Sequence, residues 1–426
     1  MKGFFGRIFG GSGIREDMSE QGLPGVPYRK GDYIGTDYQV YDVLGEGGFG
    51  VVYLVYSHQH QTVYALKTFQ DKYLADAAAR QQFRKECAIW VKLERHPYLV
   101  RAYWVDEVND RLYLVMEYIA PNHYGINTLQ GYLERQPPDL AQSLRWAIQF
   151  CHGMEHAYSR GIRAHRDIKP ANIMISQDGV IKITDFGLAG VLETASVTGV
   201  KQVGGRASLS LFKSGGKGVC GTPGYIAPEV FEGGAADERS DIYSFGMVLW
   251  QMAVGSPLPP FWQECWDGDP RSYQCKVYGR RLSVSGRLGG VIGRCVELER
   301  GERYRCFGEL REELEEILRG ETGEVVRVPE VGELEAWEWV NKGASLAYLG
   351  RYEEAIKCCD EATKINPRYA DAWLNKGVNL AKLGRYEEAI KCYDEAIKIN
   401  PRYADAWYGK GLSLAQLGQY KEAIKC

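Results

Sequence analysis

The reading of this chain turns on GEGGFGVV, residues 45–52. Gly45, Gly47 and Gly50 fit G-x-G-x-x-G, a pattern used in two unrelated ways. In one, the glycines lead a strand into a helix beneath a dinucleotide pyrophosphate; in the other, they form a hairpin lid over a nucleotide. A glycine-rich surface turn is the third reading. The residues after the glycines separate the first two. VVYLVY (51–56) is β-branched and aromatic, a poor helix start and a good strand. Strand–turn–strand excludes the dinucleotide fingerprint, which requires strand–turn–helix. Choosing between lid and plain turn depends on what lies downstream.

Working outward, 38–44, 49–56 and 63–69 are dense in Val, Tyr, Leu and Phe and are predicted strands, with SHQHQ turning the chain between the last two. RQQFRKECAIWVKLE then has helical spacing, with Phe83, Cys87, Trp90 and Val91 on one face. Strand-like runs at 99–107 and 111–118 flank a hairpin signal at Asn109-Asp110, and helical patterns follow at 141–159, 239–254 and 306–319. Strands first and helices later describe an α+β domain of two lobes.

The C-terminal part is repetitive. Trp339, Trp373 and Trp407 lie 34 residues apart, as do Gly343, Gly377 and Gly411, and Tyr352, Tyr386 and Tyr420. Each unit has two helical segments joined by Leu-Gly-Arg or Leu-Gly-Gln, and Asn366-Pro367 ends the first unit. These units resemble the tetratricopeptide (TPR) repeat, with Ala355, Ala362 and Pro367 on its pattern and Lys342 and Leu346 departing from it. The resemblance implies an all-α helical solenoid with a groove for a peptide or protein partner. Residues 320–332, with glycines, a proline and no period, read as a linker. The expected organisation is a disordered tail at 1–37, a domain at 38–319, a linker at 320–334, and repeats at 335–426, the third truncated within its second helix.

Composition narrows the function classes. Of 426 residues, 45% are hydrophobic and 25% charged, with a formal net charge of −3. That balance provides no global field to recruit nucleic acid. No apolar run approaches the roughly 20 residues of a transmembrane helix. The eleven cysteines are scattered without a C-x-x-C pair, which argues against a zinc site or a disulfide framework and for a reduced, cytoplasmic protein. Cys358, Cys392 and Cys426 recur because the repeat does. MKGFFGRIFGG at the N-terminus is too rich in glycine for a good amphipathic anchor helix.

Chemistry concentrates in five short stretches, in order. The glycine loop is followed by YALK, which places Lys67 in the third strand, and by Glu86 on the inward face of the next helix. A buried carboxylate needs a cationic partner, and Lys67 is the candidate. HRDIKPAN (165–172) packs His165, Arg166, Asp167, Lys169 and Asn172 into a segment between helix and strand, where catalytic groups tend to lie. IKITDFG ends on Asp185-Phe186-Gly187, and GTPGYIAPE spans 221–229.

In this order and spacing the motifs make residues 38–319 resemble a eukaryotic-type protein kinase domain of the serine/threonine branch, with a two-lobed α+β kinase fold. The resemblance implies transfer of the γ-phosphate of ATP, with Mg²⁺ or Mn²⁺, to Ser/Thr hydroxyls of protein substrates. Lys67, placed by Glu86, would hold the α- and β-phosphates, and Gly45, Gly47 and Gly50 would form the lid. Asn172 and Asp185 would hold the metal. Asp167 would accept the substrate proton and Lys169 would neutralise the γ-phosphate. Leu44, Val52 and Ala65 would roof the adenine and Met174 floor it. Met116 would be the gatekeeper, with Glu117 and Ile119 offering hinge backbone groups. Asp241 would anchor the catalytic-loop backbone, and Glu229 would pair with Arg303 or its neighbour Arg305. A phosphate on the segment 185–229 would pair with Arg166, with acceptors among Thr194, Ser196, Thr198, Ser208, Ser210 and Ser214. The alternative is a pseudokinase or TPR adaptor without phosphotransfer, but such proteins usually lose one of Lys67, Glu86, Asp167, Asn172 and Asp185, and all are present.

Overall fold

The computed structural model describes residues 27–46, 50–73, 76–186, 222–267, 270–280 and 284–426. Gly47, Phe49, Gly187 and the six candidate phosphoacceptors lie outside these residues.

The N-terminal lobe is an antiparallel sheet of six strands, β1 (Tyr33–Ile34), β2 (Tyr38–Glu46), β3 (Gly50–Ser57), β4 (Thr62–Phe69), β5 (Ala102–Val108) and β6 (Arg111–Met116), in the order β1-β2-β3-β4-β6-β5. Alternation sorts the side chains between its two faces. Val51, Tyr53, Val55, Tyr64, Leu66, Tyr113 and Val115 form one apolar cluster. Residues of the opposite parity, Val52, Ala65, Lys67, Leu114 and Met116, share the other face through the pairs Val52–Lys67, Lys67–Leu114 and Ala65–Met116. The Asn109-Asp110 signal is a tight hairpin, both residues having positive φ (52° and 60°). β1 lies in the stretch expected to be tail: Gly35 (φ 62°) turns it back onto β2, and Ile34 is fully buried.

Helix α1 (Ala77–Leu93) covers the second face, burying Phe83, Cys87 and Trp90 at i, i+4 and i+7. Beyond β6 the chain is mainly helical: α2 (Leu129–Arg135), α3 (Leu140–Ser159), the hairpin β7 (Ile173–Ile175) and β8 (Ile181–Ile183), α4 (Pro228–Phe231), α5 (Glu238–Val254), α6 (Trp262–Cys265), α7 (Pro270–Arg280), α8 (Arg287–Cys295) and α9 (Phe307–Thr322). Asp237 starts α5 with a reciprocal capping box to Ser240, and Gly255 ends it in the left-handed region. α5 is apolar almost all round and is the central helix, with Phe245 stacked on Phe150 of α3 at 4.1 Å. One apolar core runs from β4 and α1 through this lobe. α9 passes the expected boundary and is closed by Gly323 (φ 76°), and Val326 packs against the core.

The repeats form helix pairs: α10 (Ala336–Tyr348) with α11 (Tyr352–Ile365), α12 (Ala370–Lys382) with α13 (Tyr386–Ile399), and α14 (Ala404–Gln416) with the single turn α15 (Tyr420–Ala423). Gly350, Gly384 and Gly418 make the intra-unit turns at φ 79°, 76° and 75°, which only glycine adopts without strain. α10 is not free-standing; it lies against α1 and β5.

Candidate active site

The cleft between the lobes gathers the motif residues. Lys67 Nζ donates to Glu86 Oε1 and to Asp185 Oδ1, each at 2.6 Å. Burial alone would lower the Lys67 pKa, but the charges of Asp185 and Glu86 outweigh it and hold the ammonium above its ordinary range. Burial raises the Glu86 carboxyl against the opposing pull of Lys67. The lysine charge lowers Asp185, whose side chain is 43% exposed to the cleft. One lysine thus binds a carboxylate from α1 and another from the segment after β8, joining the lobes.

The HRDIKPAN stretch is fastened from below. Asp241, buried in the first turn of α5, accepts the backbone N–H of His165 (2.5 Å) and of Arg166 (3.0 Å) and the hydroxyl of Tyr158 (2.5 Å). Burial raises its pKa, opposed by these donors and by His165. Arg166 and Asp185 are non-glycine residues at φ 69° and 67°, a conformation costing about 1–3 kcal/mol that persists where surroundings impose it. The Arg166 Nε is buried without a hydrogen-bond partner among the described residues.

Asp167 sits in a closed network. Its Oδ2 accepts from Lys169 Nζ (2.7 Å) and Asn172 Nδ2 (2.9 Å), and its Oδ1 from the Thr222 hydroxyl (2.9 Å). Lys169 also donates to Thr222 Oγ1 at 3.0 Å. Asn172 commits its amide nitrogen to Asp167, which leaves Oδ1 as a possible ligand atom. The Thr184 N–H donates to Asn172 O at 3.1 Å, tying this network to Asp185. Phe186 is fully buried between the rings of Trp90 (5.4 Å) and His165 (4.5 Å).

Above the cleft, Val52, Ala65 and Met116 share the sheet face of Lys67, Leu44 is 42% exposed on β2, and Gly45 pairs with Val52. Met174 lies on β7 below. Beyond β6, the Glu117 N–H donates to Arg101 O (2.8 Å), and Ile119 O accepts from Asn127 Nδ2 (2.7 Å). No described residue bonds the Glu117 carbonyl or the Ile119 N–H, so the hinge keeps one acceptor and one donor. Glu229 takes Arg303 in a two-pronged pair of 2.9 and 3.0 Å, while Arg305 is 78% exposed beside Glu309. The ambiguity between the two arginines is settled for Arg303.

The direct contact of Thr222 with Asp167, 55 positions apart in two separate motifs, is not legible from the sequence. The signal was that both carry polar groups in glycine- and proline-bounded segments.

A two-lobed fold with this cleft matches a known class. The protein kinase domain model matches residues 38–277, more than half of the chain. The chain therefore belongs to the protein kinase family. Models of the TPR repeat match 336–369, 358–391 and 377–418. Among curated proteins, a serine/threonine-protein kinase of Arabidopsis thaliana (AtPK1/AtPK6) is 29% identical over 58% of this chain and 48% of its own length. PrkC of Bacillus subtilis is 33% identical over 53% of this chain and 31% of its own. Aurora kinase of Eremothecium gossypii is 32% identical over 63% and 66%. The chain spans less than half the length of the first two. Among the described residues no helix is long and apolar enough to cross a membrane.

Proposed function

We propose that the chain is a serine/threonine protein kinase that transfers the γ-phosphate of ATP to protein hydroxyls, with its repeats as a protein-interaction module. The observation that carries this reading is Lys67 held between Glu86 and Asp185 beside an Asp167 already hydrogen-bonded to Lys169, Asn172 and Thr222. Degenerate copies of such a site lack one of these partners; here each has its geometry.

The residues fit the groups that the family uses. The hinge acceptor and donor at Glu117 and Ile119 complement an adenine edge, between the apolar Val52, Ala65 and Met116 above and Met174 below. Lys67, kept protonated by two carboxylates, suits phosphate oxygens. Asp185, held ionised and exposed to the cleft, and Asn172 Oδ1 are hard oxygen donors fitting Mg²⁺ or Mn²⁺. When bound, the metal would neutralise charge on the transferring phosphate.

Asp167 would accept the proton of the incoming hydroxyl. Its three present donors, Lys169, Asn172 and Thr222, orient its carboxylate. Lys169 would pass from Asp167 to the transferred phosphate. Arg166, with a buried Nε still unpaired among the described residues, suits a phosphorylated side chain of the activation segment. We take 38–319 as the kinase domain, extended by β1 before it and the last turn of α9 after it, the rest of 320–334 as the connection and 335–426 as the repeats.

The test is phosphate transfer from ATP with Mg²⁺ to a general basic protein, wild type against Asp167→Ala. Loss of a positioned general base lowers turnover about 100- to 10,000-fold. Equal transfer by both proteins would refute the assignment.

A further inference from the structure

Within the repeats, Lys376 pairs with Asp360 at 2.7 Å and Lys410 with Asp394 at 2.6 Å. Each pair joins a lysine to an acid 16 residues earlier, in the preceding repeat, and each lysine lies over the tryptophan three residues before it, at 5.6 and 5.7 Å. Lys342 has the same place in the first repeat, over Trp339 at 4.9 Å. Sixteen residues before it stands Val326, which cannot pair. Glu94, at the end of α1, takes the missing acid's place at 2.8 Å. The kinase domain thus stands where a preceding repeat would be.

The rest of the contact has the same sense. Glu338, only 6% exposed, receives both Arg95 and Arg101. The Val105 N–H of β5, the last strand of the sheet, donates to Ser345 Oγ at 2.8 Å, which fills an edge position. Arg84 donates to Tyr348 O at 3.1 Å, and Val91 packs into the cluster of Leu346, Ala355 and Cys358. Arg84 and Val91 recur at i and i+7 on one stripe of α1, and Glu94 and Arg95 follow directly after its end. Another face of the same helix, roughly 100–160° around its axis, carries Glu86 on Lys67 and Trp90 on Phe186. A helix with one face held by the solenoid and another holding Lys67 couples the two through its own rigidity.

We propose that the first repeat is a positioning element of the kinase: docked on α1 and β5 in the manner of one repeat on the next, it holds α1 with Glu86 against Lys67, and Glu338 and Lys342 are its positioning residues. The catalytic half of this inference rests on the kinase reading above; the docking half does not. The solenoid then supports activity instead of inhibiting it.

The test uses the full chain with Glu338→Gln, which keeps the shape of the residue and an oxygen to accept the Glu335 N–H at the start of α10 (2.9 Å) but removes its charge, and Lys342→Met, with Lys342→Arg as the conservative rescue. Lys376→Met is the control, breaking the same pair one repeat further on. Two quantities are read: hydrogen exchange of the 77–93 amides without nucleotide, and kcat with KM for ATP. We expect exchange in α1 to quicken about 10-fold and kcat to fall about 5- to 50-fold in Glu338→Gln and Lys342→Met. Lys342→Arg is expected to restore both and Lys376→Met to change neither. Unchanged α1 exchange, a rise in kcat, or equal effects from Lys376→Met would each overturn the proposal. Absence of transfer by the wild-type chain would count against the kinase reading, whereas α1 exchange would still decide the docking.

Discussion

Removing Arg303 should cost far more than removing Arg305 two residues on. Arg303 has a fully buried guanidinium whose five N–H groups each find an acceptor: Glu229 Oε1 and Oε2 at 2.9 and 3.0 Å, and the carbonyls of Glu297, Arg239 and Leu298 at 2.7, 3.1 and 3.2 Å. It also lies 4.9 Å from the Tyr243 ring centre. Burial would raise the Glu229 pKa, but Arg303 more than offsets it and the carboxyl titrates below its usual range. Breaking a buried pair by removing one member costs about 3–5 kcal/mol, because the other is left uncompensated. In Arg303→Met the loss falls on Glu229, which keeps only Ser240 Oγ at 2.6 Å, and on three carbonyls. Arg305, exposed and 3.7 Å from Glu309, is worth about 0–0.5 kcal/mol. At roughly 2–4 °C per kcal/mol for a domain of this size, Arg303→Met should lower the midpoint by about 6–20 °C and Arg305→Met by no more than about 2 °C. Glu229→Gln should match Arg303→Met, and the double variant should lose about 1.5–3 kcal/mol less than the sum. Calorimetry on the full chain, following the kinase transition, measures this. Equal shifts from Arg303→Met and Arg305→Met, or additive losses in the double variant, would refute the reasoning.

Two further outcomes follow from packing and charge. A Cβ at Gly377 would meet the Tyr393 ring at 2.7 Å, whereas in the first repeat Cys359 stands in place of Tyr393 and the nearest atom to such a Cβ at Gly343 is 3.1 Å away. Gly377→Ala should therefore destabilise the solenoid by about 1–3 kcal/mol through overpacking, and Tyr393→Cys in the same chain should relieve it; urea titration of the helical signal decides, and a stabilised Gly377→Ala single variant counts against the packing. Burial, with help from His156 and His152, pushes His96 down to about 3. The unfolded chain, with an ordinary histidine near 6.5, then binds the extra proton, so stability falls as pH drops from about 6.5 toward 3. Because His96 is only half-buried, the loss by pH 5 is discounted to about 1 kcal/mol. His96→Gln should flatten that decline in chemical denaturation at pH 7 and 5, and an unchanged slope would remove His96 as its cause.

What the sequence made legible depended on the range of the interaction. Local signals were enough for β3, because VVYLVY can hardly be anything but a strand, and for the β5–β6 hairpin, because Asn109 and Asp110 tolerate positive φ. The Lys67–Glu86 pair was also readable, since a carboxylate on the inward stripe of a helix has few ways to be satisfied. The Asp167–Thr222 contact was not, because nothing in either motif specifies the path of the chain across the 55 positions that separate the two residues. β1 was missed because a two-residue strand has no period of its own; its place comes from the turn at Gly35 and from the apolar site that accepts Ile34.

The docking of the solenoid was hidden for a different reason. A charged, glycine-bearing stretch such as 320–332 reads as a tether, and its composition says nothing about where its two ends meet. Yet the stretch is fastened at its middle, with Val326 packed on the core and Arg327 O bonded by the Tyr98 hydroxyl at 3.3 Å. The only local sign was a broken register: Lys376 and Lys410 have an acid 16 residues before them, and Lys342 has a valine. In a repeat array each unit is completed by its neighbour, so a charge retained in the first unit without its partner indicates that the partner comes from outside the array. Glu94 supplies it from the residue directly after the helix that presents Glu86 to Lys67. The place where the repeat pattern fails is the place where the solenoid meets the catalytic lobe.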